Sequence, residues 1–572
     1  MLYIDFNQFI LDVLKTKLAD KGLAEADFAN VALESPKDET HGDLATNAAM
    51  VLAKKVGMAP RALAEMLVEE FKAYPAVDSV DIAGPGFINF RLKASALVGQ
   101  GIDAVTQGAA YGKLQAPDAR KAMVEYVSIN PTGPIHIGHG RNAVFGDAIA
   151  NLLEKAGRTV WREYLVNDAG GQISVLVKSL HARYLQLFGK EIQVPDNGYP
   201  GEYLIDIAQM LKDRDGDKWV DVTDEEVLLK ELRAFAVEAC LDLIKTDIKT
   251  LHIEFDRYFS EHAMHQTDRM KEVVQILRDK GLVYEGTLPP PKGKEVADYK
   301  PVELTLFKAT EFGLPEDQAI FNRNGIPTYF GQDIAYHYDK LQRGYELLVT
   351  VIGIDQAGSF TPLSKAIEAL TGRKDVYHPV PYEMVKVLRD GQPVKLSKRA
   401  GNIVLLSDVL EEVGSDAFRF TMLTVKPTTS LTFDLALAVA KTMENPVFYV
   451  QYAHARLCAV ERQRAELGIA PVDLDALNPE TVDVSAGARA VLREVMLYPA
   501  LIEQASRALE PHRLTFYAQN LAAKVHSWYG AEKWLDAANV QATQHRLAVA
   551  LAARSVLADV LSLCGVNAPE SM

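Results

Sequence analysis

Cysteine is scarce in this sequence, and the cysteines that occur form no recognisable pattern. The 572 residues include three, Cys240, Cys458 and Cys564, and none belongs to a C-x-x-C pair. This scarcity gives no basis for a disulfide framework or a cysteine zinc site, and it is typical of a reducing compartment. The sequence therefore predicts a protein without zinc and without a metal ion of its own.

Long apolar runs and a basic leader segment are absent as well. No uncharged stretch of the sequence reaches the ~18 apolar residues that a membrane-spanning helix needs. The chain opens with an acid at Asp5 and with no basic segment before its apolar residues, which is unlike a secretory signal. We therefore expect a cytoplasmic protein that makes no contact with membranes.

Positive charge is in deficit. The 61 Lys and Arg residues are outnumbered by 76 Asp and Glu residues, which gives a net charge of −15. Because non-specific affinity for nucleic acid depends on cations that neutralise phosphates, this deficit argues against a protein that coats polyanions. The balance of hydrophobic and charged residues is otherwise that of a globular protein, and the length predicts roughly three or four domains.

The hydrophobic pattern divides the chain into regions of different character. Amphipathic helices and short alternating runs come first, apolar runs that alternate with helices follow, and helical spacing dominates the C-terminal part. The predicted regions are a small α+β domain (1–115), a Rossmann-like parallel-sheet domain (116–405) with a helical connective insertion (about 190–310), a helical link (406–440) and an all-helical bundle (441–572). The predicted fold class is therefore α/β with smaller α+β and all-α domains.

The parallel sheet is predicted from apolar runs that are separated by helical segments. The run at 123–128 is followed by the turn Asn130-Pro-Thr-Gly-Pro134 and a helical pattern over about 136–157, as at the start of a βαβ unit. Further strands of this sheet are predicted at 160–166, 347–353 and 384–388.

The tetrapeptide His136-Ile-Gly-His139 opens the first predicted helix of the sheet domain. Free backbone N–H groups and the positive end of the helix dipole attract phosphate there, and Gly138 lets a nucleotide approach the backbone. The two imidazoles can donate hydrogen bonds to phosphate oxygens. The alternative is that they are two ordinary polar residues in the first turn of a helix.

A compact basic segment, Lys395-Leu-Ser-Lys-Arg399, follows the predicted strand at 384–388 and lies between Gly391 and Gly401. Such a segment suits a loop that brings ammonium groups to a polyphosphate. Taken alone, it is equally compatible with a solvated surface loop. Its position after a late strand matters, because an open α/β sheet binds nucleotides at the carboxyl ends of its strands.

Together, the two segments resemble the HIGH and KMSKS signatures of class I aminoacyl-tRNA synthetases. The second differs from KMSKS by Leu for Met and Arg for Ser, and it keeps both lysines. The resemblance implies that ATP, entering as its Mg²⁺ complex, is the nucleotide substrate. It implies catalytic roles for His136, His139, Lys395 and Lys398, and further ATP contacts from Pro134, Gly138 and Ser397.

The resemblance covers nearly the whole chain and is to the arginyl-tRNA synthetase family. The closing segment 568–572 is similar to the family's terminal motif, with Ser571 where Arg is more usual. The other segments that carry it include His41-Gly-Asp-Leu-Ala-Thr-Asn47, Gly84-Pro-Gly-Phe-Ile-Asn-Phe90, Val166-Asn-Asp-Ala-Gly170, Asp333-Ile-Ala-Tyr-His337 and Glu444-Asn-Pro-Val-Phe-Tyr-Val-Gln-Tyr-Ala-His-Ala-Arg456.

The family implies an arginine–tRNA ligase. The carboxylate of L-arginine would attack the α-phosphorus of ATP, and arginine would then pass from arginyl-adenylate to the 3′ end of tRNA(Arg), with release of AMP and pyrophosphate. The resemblance also implies that activation of arginine needs bound tRNA. We expect the protein to be a monomer.

The resemblance assigns five residues to the arginine substrate: Glu125, Asn130, Tyr329, Asp333 and Gln356. Tyr329 and Asp333 would read the guanidinium, which requires a carboxylate and acceptors in a matching geometry. Asn130 and Gln356 would hold the α-amino group, and Glu125 would shape the negative field. Singly, Tyr329 and Asp333 could also be a half-buried aromatic and a helix-start residue. The segment Gln356-Ala-Gly-Ser359 departs from the family's usual His-His-Gly-Tyr.

Two tRNA-binding surfaces are implied as well. In the N-terminal domain Asn47, Phe87 and Asn89 would contact the tRNA elbow. In the bundle, Tyr449, Tyr452, His454 and Arg456 are spaced so that one helix could present aromatic and cationic groups to unstacked bases. The alternative is that the tyrosines pack in the core, and Phe516-Tyr517 and Trp528-Tyr529 have the same ambiguity.

Other functions are less consistent with the sequence. A small-molecule ligase with an HxGH motif would not need a helical domain of more than a hundred residues, and the synthetases for Ile, Val and Leu carry a large editing insertion. A catalytically silent tRNA-binding paralogue would lose the signature residues, which are intact here.

Residues 441–572 carry a net charge of −2, so even the predicted RNA-binding bundle is not basic. We therefore expect selective recognition of tRNA with little affinity for other nucleic acids.

Overall fold

A computed structural model describes residues 1–36, 38–116, 118, 120–289, 302–394 and 404–572. Among these residues, no helix has the length and apolar character that crossing a membrane would require. The segment Lys395–Arg399, which carries the KMSKS resemblance, lies outside the described residues.

The N-terminal domain is α+β, as the sequence predicts, and its helices pack on a four-stranded antiparallel sheet. The sheet order is β1-β2-β4-β3, and the turn between β3 and β4 uses positive φ angles at Gly84 and Gly86. Phe6, Phe71 and Phe90 form the aromatic core between helices and sheet. The elements are α1 (Leu2–Lys17), β1 (Leu33–Glu34), β2 (Leu44–Thr46), α2 (Ala48–Val56), α3 (Pro60–Phe71), β3 (Val77–Ala83), β4 (Phe87–Leu92) and α4 (Ala94–Gln107).

The central domain contains a five-stranded parallel sheet. The sheet order is β12-β11-β5-β6-β7, with α5 following the central strand. Its elements and those of its insertion are β5 (Lys121–Glu125), α5 (Ile137–Lys155), β6 (Val160–Val166), α6 (Gly171–Gln186), α7 (Tyr203–Asp215), α8 (Glu225–Thr250), β7 (Arg257–Ser260), α9 (Glu261–His265), α10 (Arg269–Asp279), β8 (Val283–Gly286), β9 (Leu304–Phe307), β10 (Gln318–Phe321), α11 (Tyr329–Gln342), β11 (Tyr345–Gly353), α12 (Ala357–Thr371) and β12 (Tyr377–Tyr382).

The insertion is less helical than predicted. Besides α7 and α8 it contains β7, the edge strand of the main sheet, and β8 and β9, which form an antiparallel sheet with β10. These strands are four residues long. Runs this short have no reliable period of two, so their pairing depends on the neighbouring strand.

One predicted strand of the main sheet belongs elsewhere. The run at 384–388 forms β13 (Val385–Arg389), which pairs with β14 (Gln392–Pro393) and, in parallel, with β15 (Leu431–Asp434). The prediction lacks both edge strands of the main sheet, β7 and β12, and β12 contains Pro379 and Pro381. Proline has no N–H to donate and is tolerated at a sheet edge, which explains both the position and the weak sequence signal.

The last region is the predicted helical bundle. Asn445 caps its first helix with Pro446 at the first position, and Pro511 precedes its third helix. The sequence predicts a helical link at 406–440, and the link contains the strand β15 besides three helices. The helices of the link and the bundle are α13 (Leu406–Val413), α14 (Ser415–Met422), α15 (Leu435–Val439), α16 (Pro446–Glu466), α17 (Ala486–Ala508), α18 (His512–Ala531) and α19 (Val540–Leu563).

Candidate functional site

The two histidines of the HxGH motif meet at the N-terminus of α5. His136 is the N-cap residue, and its Nδ1 accepts a hydrogen bond of 3.1 Å from the backbone N–H of Gly138. Its ring stacks on that of His139 with 3.5 Å between centroids. A Cβ on Gly138 would lie 2.9 Å from the His136 ring. Glycine therefore lets both imidazoles lie over the start of the helix.

Both histidines are neutral at physiological pH. Burial lowers the pKa of His136, and burial together with the neighbouring His136 lowers the pKa of His139 to about 3. Since Nδ1 of His136 is an acceptor, the neutral ring carries its proton on Nε2. Nδ1 of His139 is buried with no hydrogen-bond partner among the described residues. The motif thus offers neutral hydrogen-bond donors beside the helix N-terminus.

The chain that follows the basic segment is joined to the histidine motif. The N–H of Ile137 donates to Val404 O at 3.2 Å, and the N–H of Leu406 donates to Ile135 O at 2.9 Å. On the other side of the basic segment, β13 begins beside the motif, because the Met384 methyl lies 3.4 Å from a Cβ built on Gly138. The described chain thus comes close to the histidine motif at Met384, which precedes β13, and again at Val404, which follows the basic segment.

Two buried polar residues that the sequence reasoning missed support this arrangement. The Arg141 guanidinium is fully buried and donates to the backbone carbonyls of Glu383, Lys426 and Thr429. Asn142 accepts from the N–H of Val127 at 2.6 Å and donates to Val351 O at 2.9 Å. Their place directly after His136-Ile-Gly-His139-Gly was the available signal, since polar residues on a buried helix face need partners.

The turn after β5 carries Asn130 in a strained backbone. Val127 and Ser128 have φ angles of 65° and 42°, which side-chain-bearing residues rarely adopt. The bond to Asn142 and a bond from Asn167 to Ser128 O hold the turn. Asn130 itself is exposed and donates to Gln172. Gln356 is likewise exposed, in a short helical turn after β11, so a ligand can reach both side chains.

Tyr329 and Asp333 lie one turn apart on α11, as their spacing predicts. Tyr329 is the first residue of the helix and is 88% exposed, so in this structure its ring does not close over Asp333. Burial and the nearby Glu125 raise the pKa of Asp333 to about 7, and Lys340 acts in the opposite direction. A cationic ligand would favour the ionised form of this carboxyl group.

Glu125 is buried at the end of β5, where its Oε2 lies 2.5 Å from Nζ of Lys340. The sequence reasoning missed two more carboxyl groups: Glu261, whose charge raises the pKa of Asp333, and Asp168, which acts on Glu261. Burial and Asp168 raise the pKa of Glu261, and Asp168 accepts from Ser260 and from the N–H of His262. A carboxylate cluster of this kind is suited to a cationic side chain.

The three predicted elbow-contact residues line one cavity of about 800 Å³ in the N-terminal domain. Phe87 is exposed, Asn89 is buried, and Asn47 accepts a hydrogen bond from the N–H of Ala32. Exposed Met50 and His41 complete an opening with apolar and polar walls. The cavity could hold a base together with its sugar.

Tyr449, Tyr452 and Arg456 form an aromatic cluster on the surface of the bundle. The Arg456 guanidinium lies between the rings of Tyr452 and Tyr529, 4.7 Å from each centroid. His526, also missed by the sequence reasoning, contacts Arg456 at 3.0 Å and pairs with Tyr449 O. The cluster offers stacking surfaces and a cation side by side.

Other residues expected near this face lie elsewhere. His454 is buried and contacts Pro569 O at 2.9 Å, so it binds the C-terminal segment of the chain. Tyr517 and Trp528 are buried in the core of the bundle, whereas Phe516 is 56% exposed. Helix α16 therefore presents only part of its polar and aromatic residues to solvent.

No group of three or more His, Cys, Asp or Glu side chains suitable for a metal ion occurs within the described residues. The three cysteines are buried and unpaired.

Three family models match successive parts of the chain. They are the arginyl tRNA synthetase N terminal domain over residues 8–92, the tRNA synthetases class I (R) catalytic domain over 102–428 and the DALR anticodon binding domain over 450–572. Together they match more than nine tenths of the sequence.

Curated relatives and solved structures agree with these matches. The arginine–tRNA ligase of Ruegeria pomeroyi is 42% identical over the full length of both chains, and that of Roseobacter denitrificans is 43% identical over 96% of each. The structure of Thermus thermophilus arginyl-tRNA synthetase superimposes over all of both chains with a TM-score of 0.76 at 22% identity. The arginyl-tRNA synthetase of Plasmodium falciparum gives a TM-score of 0.73 at 15% identity, covering 99% of this chain and 98% of its own.

Proposed function

The chain belongs to the arginyl-tRNA synthetase family, and from this premise we propose that it is an arginine–tRNA ligase. It activates L-arginine with ATP to arginyl-adenylate and transfers the arginine to the 3′ end of tRNA(Arg), releasing AMP and pyrophosphate. The observation that carries this function is the 42% identity to a curated arginine–tRNA ligase over the full length of both chains. Two features of the structure support this function: the HxGH motif is hydrogen-bonded to the chain that follows the basic segment, and carboxylates surround Asp333.

We propose that His136 and His139 hold the phosphates of ATP. Neutral imidazoles with a free N–H can donate to phosphate oxygens without first gaining a proton, and the N-terminus of α5 adds backbone N–H groups. Pro134 and Gly138 shape the approach of the nucleotide, and exposed Met384 offers an apolar surface beside Gly138. Catalysis by positioning and electrostatic stabilisation requires no covalent enzyme intermediate.

Lys395, Ser397 and Lys398 are proposed to bind the pyrophosphate portion of ATP. Support comes from the chain that follows them, since Val404 and Leu406 are hydrogen-bonded to Ile137 and Ile135, on either side of His136. ATP would enter as its Mg²⁺ complex, and the metal ion is part of the substrate. Opposite charge from two lysines and Mg²⁺ would stabilise the leaving group as the α-phosphorus is attacked.

We propose that Asp333 pairs with the guanidinium of the substrate, with Tyr329 at the entrance and Glu125 behind it. Asn130 and Gln356 would hold the α-amino group, because both are exposed at the carboxyl ends of adjacent strands, β5 and β11. Gln356 can donate and accept, so it can fill this role although the family's usual His is absent.

For tRNA, we propose two contacts at opposite parts of the chain. The cavity of Asn47, Phe87 and Asn89 would hold a nucleotide of the elbow, and Tyr449, Tyr452 and Arg456 would bind the anticodon loop. The proposed domains are 1–115, 116–405 with the insertion at about 190–310, the link 406–440 and the bundle 441–572. The monomeric state and the cytoplasmic location stay predictions.

Arginine-dependent ATP–pyrophosphate exchange, with and without tRNA(Arg), tests this function. We expect exchange with arginine and with no other amino acid, and transfer of radiolabelled arginine to tRNA(Arg). Exchange that proceeds with lysine or glutamine and not with arginine would contradict the substrate. Tight binding of tRNA with no exchange for any amino acid would instead identify a silent tRNA-binding paralogue.

A further inference from the structure

Two carboxylates on neighbouring strands each face a cation at the C-terminal end of α11. Glu125 on β5 and Glu163 on β6 are partners in the parallel register. Lys340 pairs with Glu125, and Arg343 pairs with Glu163 through two hydrogen bonds of 2.5 and 2.8 Å. Lys340 and Arg343 are three residues apart, about one helical turn. This separation lets each cation meet the carboxylate of a different strand.

Lys340 is almost completely buried. Its side chain is 1% exposed, and Nζ lies 4.1 Å from the centroid of the Tyr336 ring. Lys340 follows Asp333 by seven residues, which places both side chains on the same face of α11. A buried lysine is costly unless it is paired, and Glu125 supplies the partner of Lys340.

Asp333 differs from Glu125 and Glu163 in having no cationic partner at ion-pair distance among the described residues. The titratable and charged groups around it come from several elements: Glu125 on β5, Glu261 on α9, His337 and Lys340 on α11, and Tyr377 on β12. Glu125 and Glu261 oppose ionisation of Asp333, and Lys340 favours it. His337 is buried and neutral, because burial lowers its pKa.

From this arrangement we infer that Lys340 is a positioning residue for arginine recognition. It holds Glu125 in an ion pair and so leaves Asp333 as the carboxylate that the substrate guanidinium neutralises. Without Lys340, Glu125 would repel the charge of Asp333 directly, and Asp333 would take up a proton instead of the substrate cation. The inference rests on the proposed binding of arginine at Asp333.

The pH dependence of kcat/KM for arginine, measured in the presence of saturating tRNA and ATP, tests this role. Arginine binds the ionised form of Asp333, whose pKa is raised to about 7, so kcat/KM should rise with pH through this range and level off above it. In Lys340→Met the rise should move to higher pH by about one unit, with kcat/KM near pH 7 reduced about fivefold. Lys340→Arg keeps the charge and should restore the wild-type profile.

Changes at Glu125 should act in the opposite direction. Glu125→Gln removes the charge that opposes ionisation of Asp333, so the rise should move to lower pH, and Glu125→Gln/Lys340→Met should return it towards the wild-type position. If Lys340→Met does not fold, the comparison of Glu125→Gln with the double variant gives the same information. Adding Lys340→Met to the Glu125→Gln background should still move the rise to higher pH.

Lys155→Met is the matched control. Lys155 is also a buried lysine in an ion pair, 2.6 Å from Asp559, at the end of α5 away from the arginine residues. This variant should lose stability and leave the pH profile unchanged. An unchanged profile in folded Lys340→Met would overturn the inference, whereas wild-type protein with no arginine-dependent exchange at any pH would overturn the proposed function itself.

Discussion

Burial sets the charge of the individual side chains that are proposed to do the chemistry. Burial lowers the pKa of His136 and His139, so both are neutral over the N-terminus of α5. Burial raises the pKa of Asp333 to about 7, so this carboxyl group is only partly ionised near neutral pH. The first effect supplies hydrogen-bond donors for phosphate without adding charge. The second supplies a carboxyl group whose ionisation responds to an incoming cation.

His139→Ala should reduce the rate of arginine-dependent exchange about 100- to 1000-fold, because it removes a preorganised donor to the phosphates. Binding of tRNA should change little, since His139 is distant from both proposed tRNA surfaces in sequence and domain. Exchange kinetics and filter binding of labelled tRNA give the two values. His545→Ala is the control, because His545 is a buried histidine of the bundle that accepts from the N–H of Asp483. Similar losses in both variants would point to stability alone.

Arg456→Ala should raise the dissociation constant for tRNA(Arg) about tenfold to a hundredfold. The guanidinium holds the Tyr452 and Tyr529 rings apart, so its loss would remove both a cation and a stacking surface. Fluorescence titration with tRNA measures the change, and KM for arginine at saturating tRNA should stay the same. Arg462→Ala on the same helix is the matched control, since Arg462 contacts Glu570 O on another face. Equal increases of the dissociation constant in the two variants would indicate that Arg456 contributes only its positive charge.

At the scale of secondary-structure elements, the site depends on how closely α5 packs on the central strand. Gly146 of α5 lies against Tyr126 at the end of β5, and a Cβ there would lie 2.1 Å from the tyrosine ring. Tyr126 is fully buried and has little room to move. The small residue therefore brings the helix that carries the histidines against the strand that carries Glu125.

Gly146→Ala should lower the free energy of unfolding by about 1–3 kcal/mol, because the added methyl group would force helix and strand apart. Gly99→Ala in α4 should have the opposite effect, raising it by about 0.5–1 kcal/mol, since no atom lies within 4 Å of its Cβ position and alanine favours the helix. Urea denaturation of both variants measures the difference. A stabilised Gly146→Ala variant would show that the packing is looser than described.

At the scale of the whole molecule, buried charged side chains join the domains. Arg419 of the link donates to Asp147 of α5, to Leu251 O after α8 and to Cys564 O after the last helix of the bundle. Arg489 of the bundle pairs with Asp43 in the N-terminal domain. Guanidinium groups thus connect α5 to the end of the bundle, and the bundle to the N-terminal domain, because they have enough donors to bridge several partners.

Arg419→Met should lower the free energy of unfolding by about 3–5 kcal/mol, because buried Asp147 would lose its nearer cation and keep only Arg162 at 3.8 Å, and two buried carbonyls would lose their donor. Calorimetry should also show the bundle and the catalytic domain unfolding less cooperatively. Asp147→Asn/Arg419→Met removes the uncompensated charge and should recover part of the loss. A double variant that is less stable than Arg419→Met would contradict an electrostatic origin.

The charge of the whole chain predicts selectivity among nucleic acids. With a net charge of −15, the protein should bind tRNA(Arg) but show little affinity for single-stranded homopolymer RNA or duplex DNA at physiological salt. Competition against labelled tRNA(Arg) measures this preference. Efficient competition by unrelated RNA would indicate a cationic surface that the composition does not suggest.

Much of the architecture could be predicted from local sequence pattern. Helix α5, strands β5 and β6, the N-terminal sheet and the helical bundle follow from periodicity, turn residues and caps such as Asn445-Pro446. The predictions that were wrong concern short strands: β7 lies in the region predicted to be helical, and β13 pairs with β15 instead of joining the main sheet. The partners of such strands lie in distant parts of the chain. A run of four or five residues carries too little periodicity to select its partner.

The sequence by itself determined the family, because long motifs such as that around His136 and His139 are specific residue by residue. It also determined that the charge is unfavourable for indiscriminate binding of polyanions. Only the tertiary structure decided which charges are available: Lys340 pairs with Glu125, His454 turns to the C-terminal segment, and Arg141 and Asn142 bind backbone groups far along the chain. The physical reason is that charge and hydrogen bonding depend on burial and on partners in space, which residue type and spacing do not specify.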